Sequence, residues 1–309
     1  MTARWQPSAP IENLQQRAEI LWKVREFFRQ RGICEVQTPV VGSHTVTDLN
    51  IESVRLANGN FLQTSPEYFL KRLLAAGMPS CYQLGPVFRE GEAGRWHNTE
   101  FTMLEWYRLG FNTSELRQEV KEMIELVLGP CDVREYTFRD LLFYEFQVDC
   151  YEATDQELHK VARANGFSTD FRRADVLDFI YSATIENRRE SRYFVVDFPL
   201  ESCALAEVRE IDGHLVADRF ELIVEGLEIA NGYNELRDPV ELKNRMEHDQ
   251  KLRRELDRLH IEKDKRLLAA MDAGLPQCSG VAVGLDRLVA LSLGAKDIQH
   301  VLPFTQSHI

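Results

Sequence analysis

The chain has 309 residues, with 37 Lys and Arg against 49 Asp and Glu, a formal net charge of −12. Its 44% hydrophobic, 10% aromatic and 28% charged residues exclude disorder, collagen and coiled-coil arrays, and the length fits two domains or one large one that needs no disulfide or metal staple. The acidic balance disfavours nonspecific nucleic-acid binding, which depends on Lys and Arg neutralising phosphates.

Residues 11–31 place Leu14, Ala18, Leu21 and Phe28 at helical spacing, and Gly32 ends that helix. The run ICEVQTPVV reads as β-rich up to Pro39 and Gly42. Alternation over 51–63 with Asn58-Gly59 predicts a hairpin. Ser65-Pro66-Glu67 reads as a helix start, with the Ser65 hydroxyl as N-cap. Segments 81–90 and 100–107 are strand-like and joined by a charged loop; a helix over 114–128 follows. Residues from about 130 to 190 are more helical and polar, a partly helical insertion into one catalytic domain spanning 1–309. Strands return at 193–198 and 219–230, and 240–272 reads as one long charged helix. The segment GVAVGLDRLVALSLG reads as strand, glycine turn and helix. Short strands between long helices predict an α+β fold around a mainly antiparallel sheet.

No stretch approaches the length of uncharged apolar residues that spans a bilayer, so no membrane association is expected. The N-terminus has no apolar signal core, and the six cysteines (34, 81, 131, 150, 203, 278) are scattered without a CxxC pair. Both features fit a reducing, cytoplasmic setting. P-loop, GxGxxG and HExxH motifs do not occur.

Three clusters of arginine and carboxylate remain. VFREGEAGRWHNTEFTMLEWY (87–107) sets Arg89 at a strand end, with Arg95 and His97 in the loop and Phe101 back on a strand. The guanidinium fork suits a phosphate and a carboxylate together; a charged hairpin tip over an aromatic core face is the other reading. RFELIVEGLEIANGYNEL (219–236) spaces Glu221, Glu228 and Glu235 seven apart. On an unbroken strand that odd spacing alternates faces, so Gly226 and Gly232 must bend or re-phase the chain if the three converge on a cation. An edge strand with solvated glutamates is the alternative. GVAVGLDRLVAL (280–291) puts Arg287 on the first turn of a helix, near its anion-attracting end, although many strand–turn–helix units look alike.

In this order and register the three segments resemble the signature motifs of class II aminoacyl-tRNA synthetases, and among these the lysyl enzymes. The helix ending in GICEVQTPVV, with Pro39, is similar to motif 1; the Arg89 segment resembles motif 2 and GVAVGLDRL motif 3. TSPEYFLKRLL and LEIANGYNEL resemble the lysyl pocket. Motif 1 is reached within about 40 residues, without the N-terminal anticodon-reading module of a lysyl synthetase. That shape resembles the stand-alone paralogue family that attaches lysine, preferably (R)-β-lysine, to a lysine of elongation factor P.

The resemblance implies ATP and Mg²⁺ as cofactors, elongation factor P as acceptor rather than tRNA, and a homodimer. It implies Arg89 and Arg287 as catalytic residues. Glu90, Gly91, Glu92, His97, Asn98, Phe101, Glu228, Ile229 and Gly284 would line the ATP site with those two arginines. The lysine pocket would take Ser65, Pro66, Glu67, Glu105, Tyr107, Asn231, Glu235 and Ala282, and Mg²⁺ would sit on Glu221 and Glu228. Three positions depart from the family pattern. Gly91 stands where an acid is usual, so Glu92 is expected to replace it. Thr99 replaces a proline and is expected to loosen the loop; Ala282 replaces a glycine and crowds the α-amino position. A tRNA or small-amine acceptor, or a non-catalytic nucleotide sensor, are the competing functions.

Overall fold

The computed structural model describes residues 5–167, 172–188 and 190–309. Residues 1–4 of the N-terminus, and 168–171 and 189 of the expected insertion, lie outside them. Helix α1 (Ile11–Gln30) leads into β1 (Cys34–Glu35) and β2 (Val41–Gly42), and β3 (Phe61–Leu62) pairs back onto β2 before α2 (Glu67–Ala75). The antiparallel pair β4 (Cys81–Phe88) and β5 (Glu100–Leu109) is followed by α3 (Thr113–Leu128), whose Asn112 and Glu115 form a reciprocal capping box. Then come β6 (Arg134–Thr137), α4 (Phe138–Phe146), α5 (Asp155–Ala164) and α6 (Arg173–Asn187). Strands β7 (Arg192–Pro199), β8 (Val208–Ile211), β9 (His214–Val224) and β10 (Leu227–Asn234) precede α7 (Pro239–Glu255) and α8 (Lys265–Gly274). The fold closes with β11 (Cys278–Gly284) and α9 (Leu285–Ser292).

The main sheet runs β1-β4-β5-β11-β10-β9-β7-β6, with β8 paired to β9. It is antiparallel except at β1/β4 and β6/β7, an α+β arrangement as expected. Side chains alternate between the two faces of a strand. One face carries Tyr82, Leu84, Leu104, Trp106, Phe220, Leu222, Val281 and Val283, packed against Val24 and Phe28 of α1, Val120 of α3 and Leu288 of α9. Trp106 is fully buried there, its ring 5.2 Å from Phe28 and its indole N–H donating to Glu119 Oε2 at 3.0 Å. A buried indole needs such an acceptor.

The opposite face carries the polar residues. Across neighbouring strands Gln83, Glu105, Ala282, Asn231 and Glu221 stand in one row, and Cys81, Tyr107, Gly280, Tyr233 and Arg219 in the next. Leu70, Leu242 and Leu267 of α2, α7 and α8 pack at one end of this face. Leu141, Leu158 and Ile180 of α4, α5 and α6 pack at the other, against Tyr193 and Ile223.

Several local expectations change. Helix α1 buries Ile20, Val24, Phe27 and Phe28, whereas Ala18 is exposed. The β-rich run 33–41 yields only β1 and the start of β2, and 51–63 keeps the Asn58-Gly59 turn with a single bridge, Arg55 to Phe61. The predicted 219–230 strand is two strands reversing at Glu225–Gly226, both at positive φ. The 240–272 helix is two helices. Arg253, 1% exposed, turns inward and donates to the carbonyls of Thr47, Asp48, Ile51 and Leu259. Asp257 has positive φ, and the Asp264 carboxylate caps α8 through the N–H groups of Arg266 and Leu267.

Candidate active site

Arg89 follows β4 and is 24% exposed. Its Nη1 lies 3.6 Å from Glu92 Oε1, its Nε donates to the Thr64 carbonyl, and its guanidinium sits 5.2 Å from the Phe101 ring. Glu92 thus stands against Arg89, while Gly91 turns the chain at φ +77° and Glu90 is exposed. From the other side of the same loop, Arg287 Nη2 donates to His97 Nε2, Nε to the Trp96 carbonyl at 3.2 Å and Nη1 to the Glu228 carbonyl at 2.8 Å. Partial burial and the Arg287 charge hold His97 below the ordinary imidazole range, with Glu92, Glu228 and Arg89 also within its field. A neutral ring can accept from Arg287. Both arginine charges act on His97.

The loop between them is pinned to the C-terminal segment. Arg95 Nε donates to the Lys296 carbonyl, Thr99 Oγ1 to Gln306 Oε1 at 2.8 Å, and Asn98 Oδ1 accepts from the Gln306 N–H. Thr99, expected to loosen this loop, instead adds a tether. Beneath Arg287, Asp286 is 1% exposed, accepting from the Thr102 N–H at 2.7 Å and pairing with Arg17 of α1 at 2.5 Å. Sequence reasoning missed that anchor. Gly284 ends β11, and a Cβ there would meet only the Arg287 side chain, at 3.7 Å.

The phase problem of the three glutamates is resolved by a bulge. Glu228 pairs with Ile223, yet Ala230 pairs with Leu222 and Asn231 with Glu221, so the register slips by one at Ile229. That slip puts Glu228, Asn231 and Glu221 on one face, with Asn231 Nδ2 3.4 Å from Glu221 Oε1 and 3.5 Å from Glu228 Oε1. Gly226 makes the turn. Gly232 does not bend the chain: it faces the core, where a Cβ would lie 2.4 Å from the Phe220 ring. Ile229 itself is buried. Glu221 is 3% exposed and held by Arg219 at 2.5 Å and the Tyr181 hydroxyl at 2.7 Å. Burial, then the Glu228 charge, still lift its pKa to about 7. Asn231 Oδ1 is buried without a partner. Two carboxylates and an orphan amide oxygen form a hard oxygen set. Among the described residues no three His, Cys, Asp or Glu gather as a complete metal site.

Glu235 contacts a different partner, Lys71. It is wholly buried, its Oε2 2.6 Å from Lys71 Nζ, while Glu67 Oε1 accepts from the same ammonium at 2.7 Å. Pro66, not Ser65, stands at the N-cap of α2. The Ser65 hydroxyl accepts from the Glu67 N–H and donates to Glu105 Oε2 at 2.7 Å. The Tyr107 hydroxyl donates to Glu105 Oε1 at 2.8 Å. Burial, then the Glu67 charge, push the Glu105 carboxyl up to about 8. At Gly280 a Cβ would lie 2.4 Å from both Glu235 Oε1 and the Tyr107 ring, so only glycine leaves room. Lys71 is the residue the motif reading passed over; its signal was the (i, i+4) spacing from Glu67 on one helix face.

Two arginines that act on one histidine, beside a mainly antiparallel sheet whose polar rows carry the carboxylates, fit a class II synthetase catalytic fold. The chain belongs to that family: residues 5–308 match the model for tRNA synthetases class II (D, K and N). It is 40% identical over 313 residues to the elongation factor P–(R)-β-lysine ligase of Haemophilus ducreyi, covering 97% of this chain and 95% of the relative. The ligases of the same name from Vibrio parahaemolyticus (40% over 319 residues) and Yersinia pestis (39% over 318) are covered at 98% of both chains. Among the described residues no helix is long and apolar enough to cross a membrane.

Proposed function

We propose that this chain is an ATP-dependent ligase that activates a lysine-type amino acid, preferably (R)-β-lysine, as its adenylate and transfers it to a lysine of elongation factor P. The observation that carries this reading is the row Glu105–Ala282–Asn231–Glu221, together with Arg89 and Arg287 both acting on His97. Near full-length likeness to ligases named for that reaction supports it.

The chemistry follows from the charges. Arg89 receives the substrate carboxylate and the α-phosphate it attacks; Arg287 and His97 hold the outer phosphates. Negative charge gathers on those oxygens as pyrophosphate leaves, and fixed guanidinium groups stabilise it without reorganising water. Phe101, with Asn98, Glu90, Gly91, Glu92, the Ile229 backbone and Gly284, forms the adenine and ribose side. Glu221 and Glu228 fit Mg²⁺, which is held by one or two carboxylates together with substrate phosphates; when bound it would neutralise phosphate charge. Ser65, Pro66, Glu67, Glu105, Tyr107, Asn231 and Glu235 form the amino-acid pocket. The Ala282 methyl, between Glu105 and Asn231 in the row, suits a substrate whose amino group has moved to the β-carbon.

The acidic surface fits a protein acceptor better than tRNA, and a cytoplasmic setting goes with a translation factor. Exposed Ile11 and Trp22 on α1, with Val41, support a homodimer face. The segment 130–190 is read as an insertion into a single catalytic domain. The test is amino-acid-dependent ATP–pyrophosphate exchange with lysine and (R)-β-lysine, then mass spectrometry of elongation factor P. One added β-lysyl mass is expected; exchange without any mass gain on folded factor refutes the acceptor, and charging of total tRNA replaces it.

A further inference from the structure

The pocket holds three carboxylates, Glu67, Glu105 and Glu235, and among the described residues a buried cation, Lys71, 2% exposed, contacts two of them, Glu67 and Glu235. Glu105 is bonded only to hydroxyls, those of Ser65 and Tyr107. Glu235 Oε2 is held by the Lys71 ammonium, the Gly280 main-chain N–H also bonds the carboxylate, and Oε1 lies over Gly280 beside the Tyr107 ring. A carboxylate oxygen can accept more than one hydrogen bond, so Oε1 is a seat that a donor on the ligand can fill.

Resting on the functional reading above, we infer that Lys71 is a positioning residue that fixes the specificity of this pocket for a diammonium substrate. Its ammonium ties Glu67 to Glu235 and turns Glu235 Oε1 toward the substrate's distal ammonium. Burial works against the Lys71 ammonium, but Glu235 and Glu67 outweigh it and keep it protonated well above its ordinary range. Without that cation the buried Glu235 faces Glu67 with no countercharge, and burial, which already lifts the Glu235 carboxyl to about 7, favours its protonated form. A protonated Glu235 no longer distinguishes an ammonium from a methyl group.

The experiment is ATP–pyrophosphate exchange by the full chain, for wild type, Lys71→Met, Lys71→Gln and Lys71→Arg. The substrates are lysine, (R)-β-lysine and norleucine, whose tail is uncharged. Lys71→Met and Lys71→Gln are each expected to raise KM for both lysines by about tenfold or more, with kcat within about threefold. The preference for lysine over norleucine is expected to fall by at least about tenfold, and Lys71→Arg to restore most of it. A merely structural role lowers the active fraction and leaves that preference alone. An unchanged preference in both uncharged variants overturns the inference. Should neither fold, Lys71→Arg decides: a preference near wild type supports the inference, and its loss overturns it. Wild type without lysine-dependent exchange overturns the functional reading itself, and this inference with it.

Discussion

The two ends of the proposed site are built on opposite plans. At the end proposed for the nucleotide Arg89, His97 and Arg287 stand at a strand end, on a loop and at a helix start, and their contacts go largely to the main chain. At the amino-acid end Glu105, Tyr107 and Glu235 stand on or beside central strands, buried, with one ammonium among three carboxylates. One end sets two guanidinium groups toward phosphate, and the other sets carboxylates around a single ammonium. A substrate with a carboxylate and two ammonium groups is oriented by that polarity, and no covalent nucleophile is required. The loop-built end should govern rate; the sheet-built end should govern which amino acid enters.

The sharpest way to break this contrast is Arg287→Ala. Loss of one preorganised cationic donor commonly costs about 10²–10³ in rate, and here it also releases the Trp96 and Glu228 carbonyls. Exchange kcat is expected to fall in that range while lysine KM moves by less than about threefold. Lys in its place cannot make the three-way fork and should recover little. An equal loss in lysine KM would mean that the two ends are not separable.

The second effect is a pH dependence confined to the buried end. With its pKa near 8, the Glu105 carboxyl is largely protonated in the empty pocket at neutral pH, burial being the main cause and the Glu67 and Glu235 charges adding to it. An incoming ammonium prefers the carboxylate, so binding must expel that proton. Affinity for lysine is therefore expected to rise with pH by up to about tenfold per unit below pH 8 and level off above it. Substrate-ammonium deprotonation, near 10.4, reverses the trend only at higher pH. Calorimetry in buffers of different ionisation heat reads the proton release directly, and Glu105→Gln should reduce it, leaving the part due to Glu235, whose carboxyl burial lifts to about 7.

A smaller change follows from Ala282→Gly. The methyl stands in the row between Glu105 and Asn231. Removing it is expected to shift relative kcat/KM from (R)-β-lysine toward α-lysine by about tenfold, the scale set by one methyl group in a pocket. An unchanged ratio would move the selectivity away from this strand.

These differences also explain what could be read from the residues alone. Strands 81–88 and 100–109 and the Arg89 and Arg287 motifs were legible because alternation and rare residue spacings carry them. The alignment of Glu221 with Glu228 was not, because it depends on a one-residue slip at Ile229, and Ile229 looks like any strand isoleucine. Lys71 was hidden because an (i, i+4) pair with Glu67 is the commonest of solvent-exposed helix patterns; only the approach of Glu235 from another strand makes it a buried ion pair. The break after α7 escaped for a related reason. Arg253 reads as surface charge until four carbonyls close around it. Local pattern fixes which face a residue takes, and tertiary partners decide what its charge does.

The smallest test concerns the loop alone. Thr99 Oγ1 donates to Gln306 Oε1 at 2.8 Å, tying the segment that carries His97 and Asn98 to the chain's last residues. Thr99→Val keeps the shape and removes the donor. A single neutral hydrogen bond contributes about 0.5–1.5 kcal/mol, and an exposed one lies at the low end. The expected result is a rise in ATP KM of about two- to threefold, with lysine KM and the lysine-to-norleucine preference unmoved. A matching change in lysine KM would show that the tether acts through the sheet, because β5 continues directly from Thr99 into Phe101 and Glu105. An effect on ATP alone means that the loop is held from outside, by the C-terminal segment, and that the pocket beneath it is set by the strands.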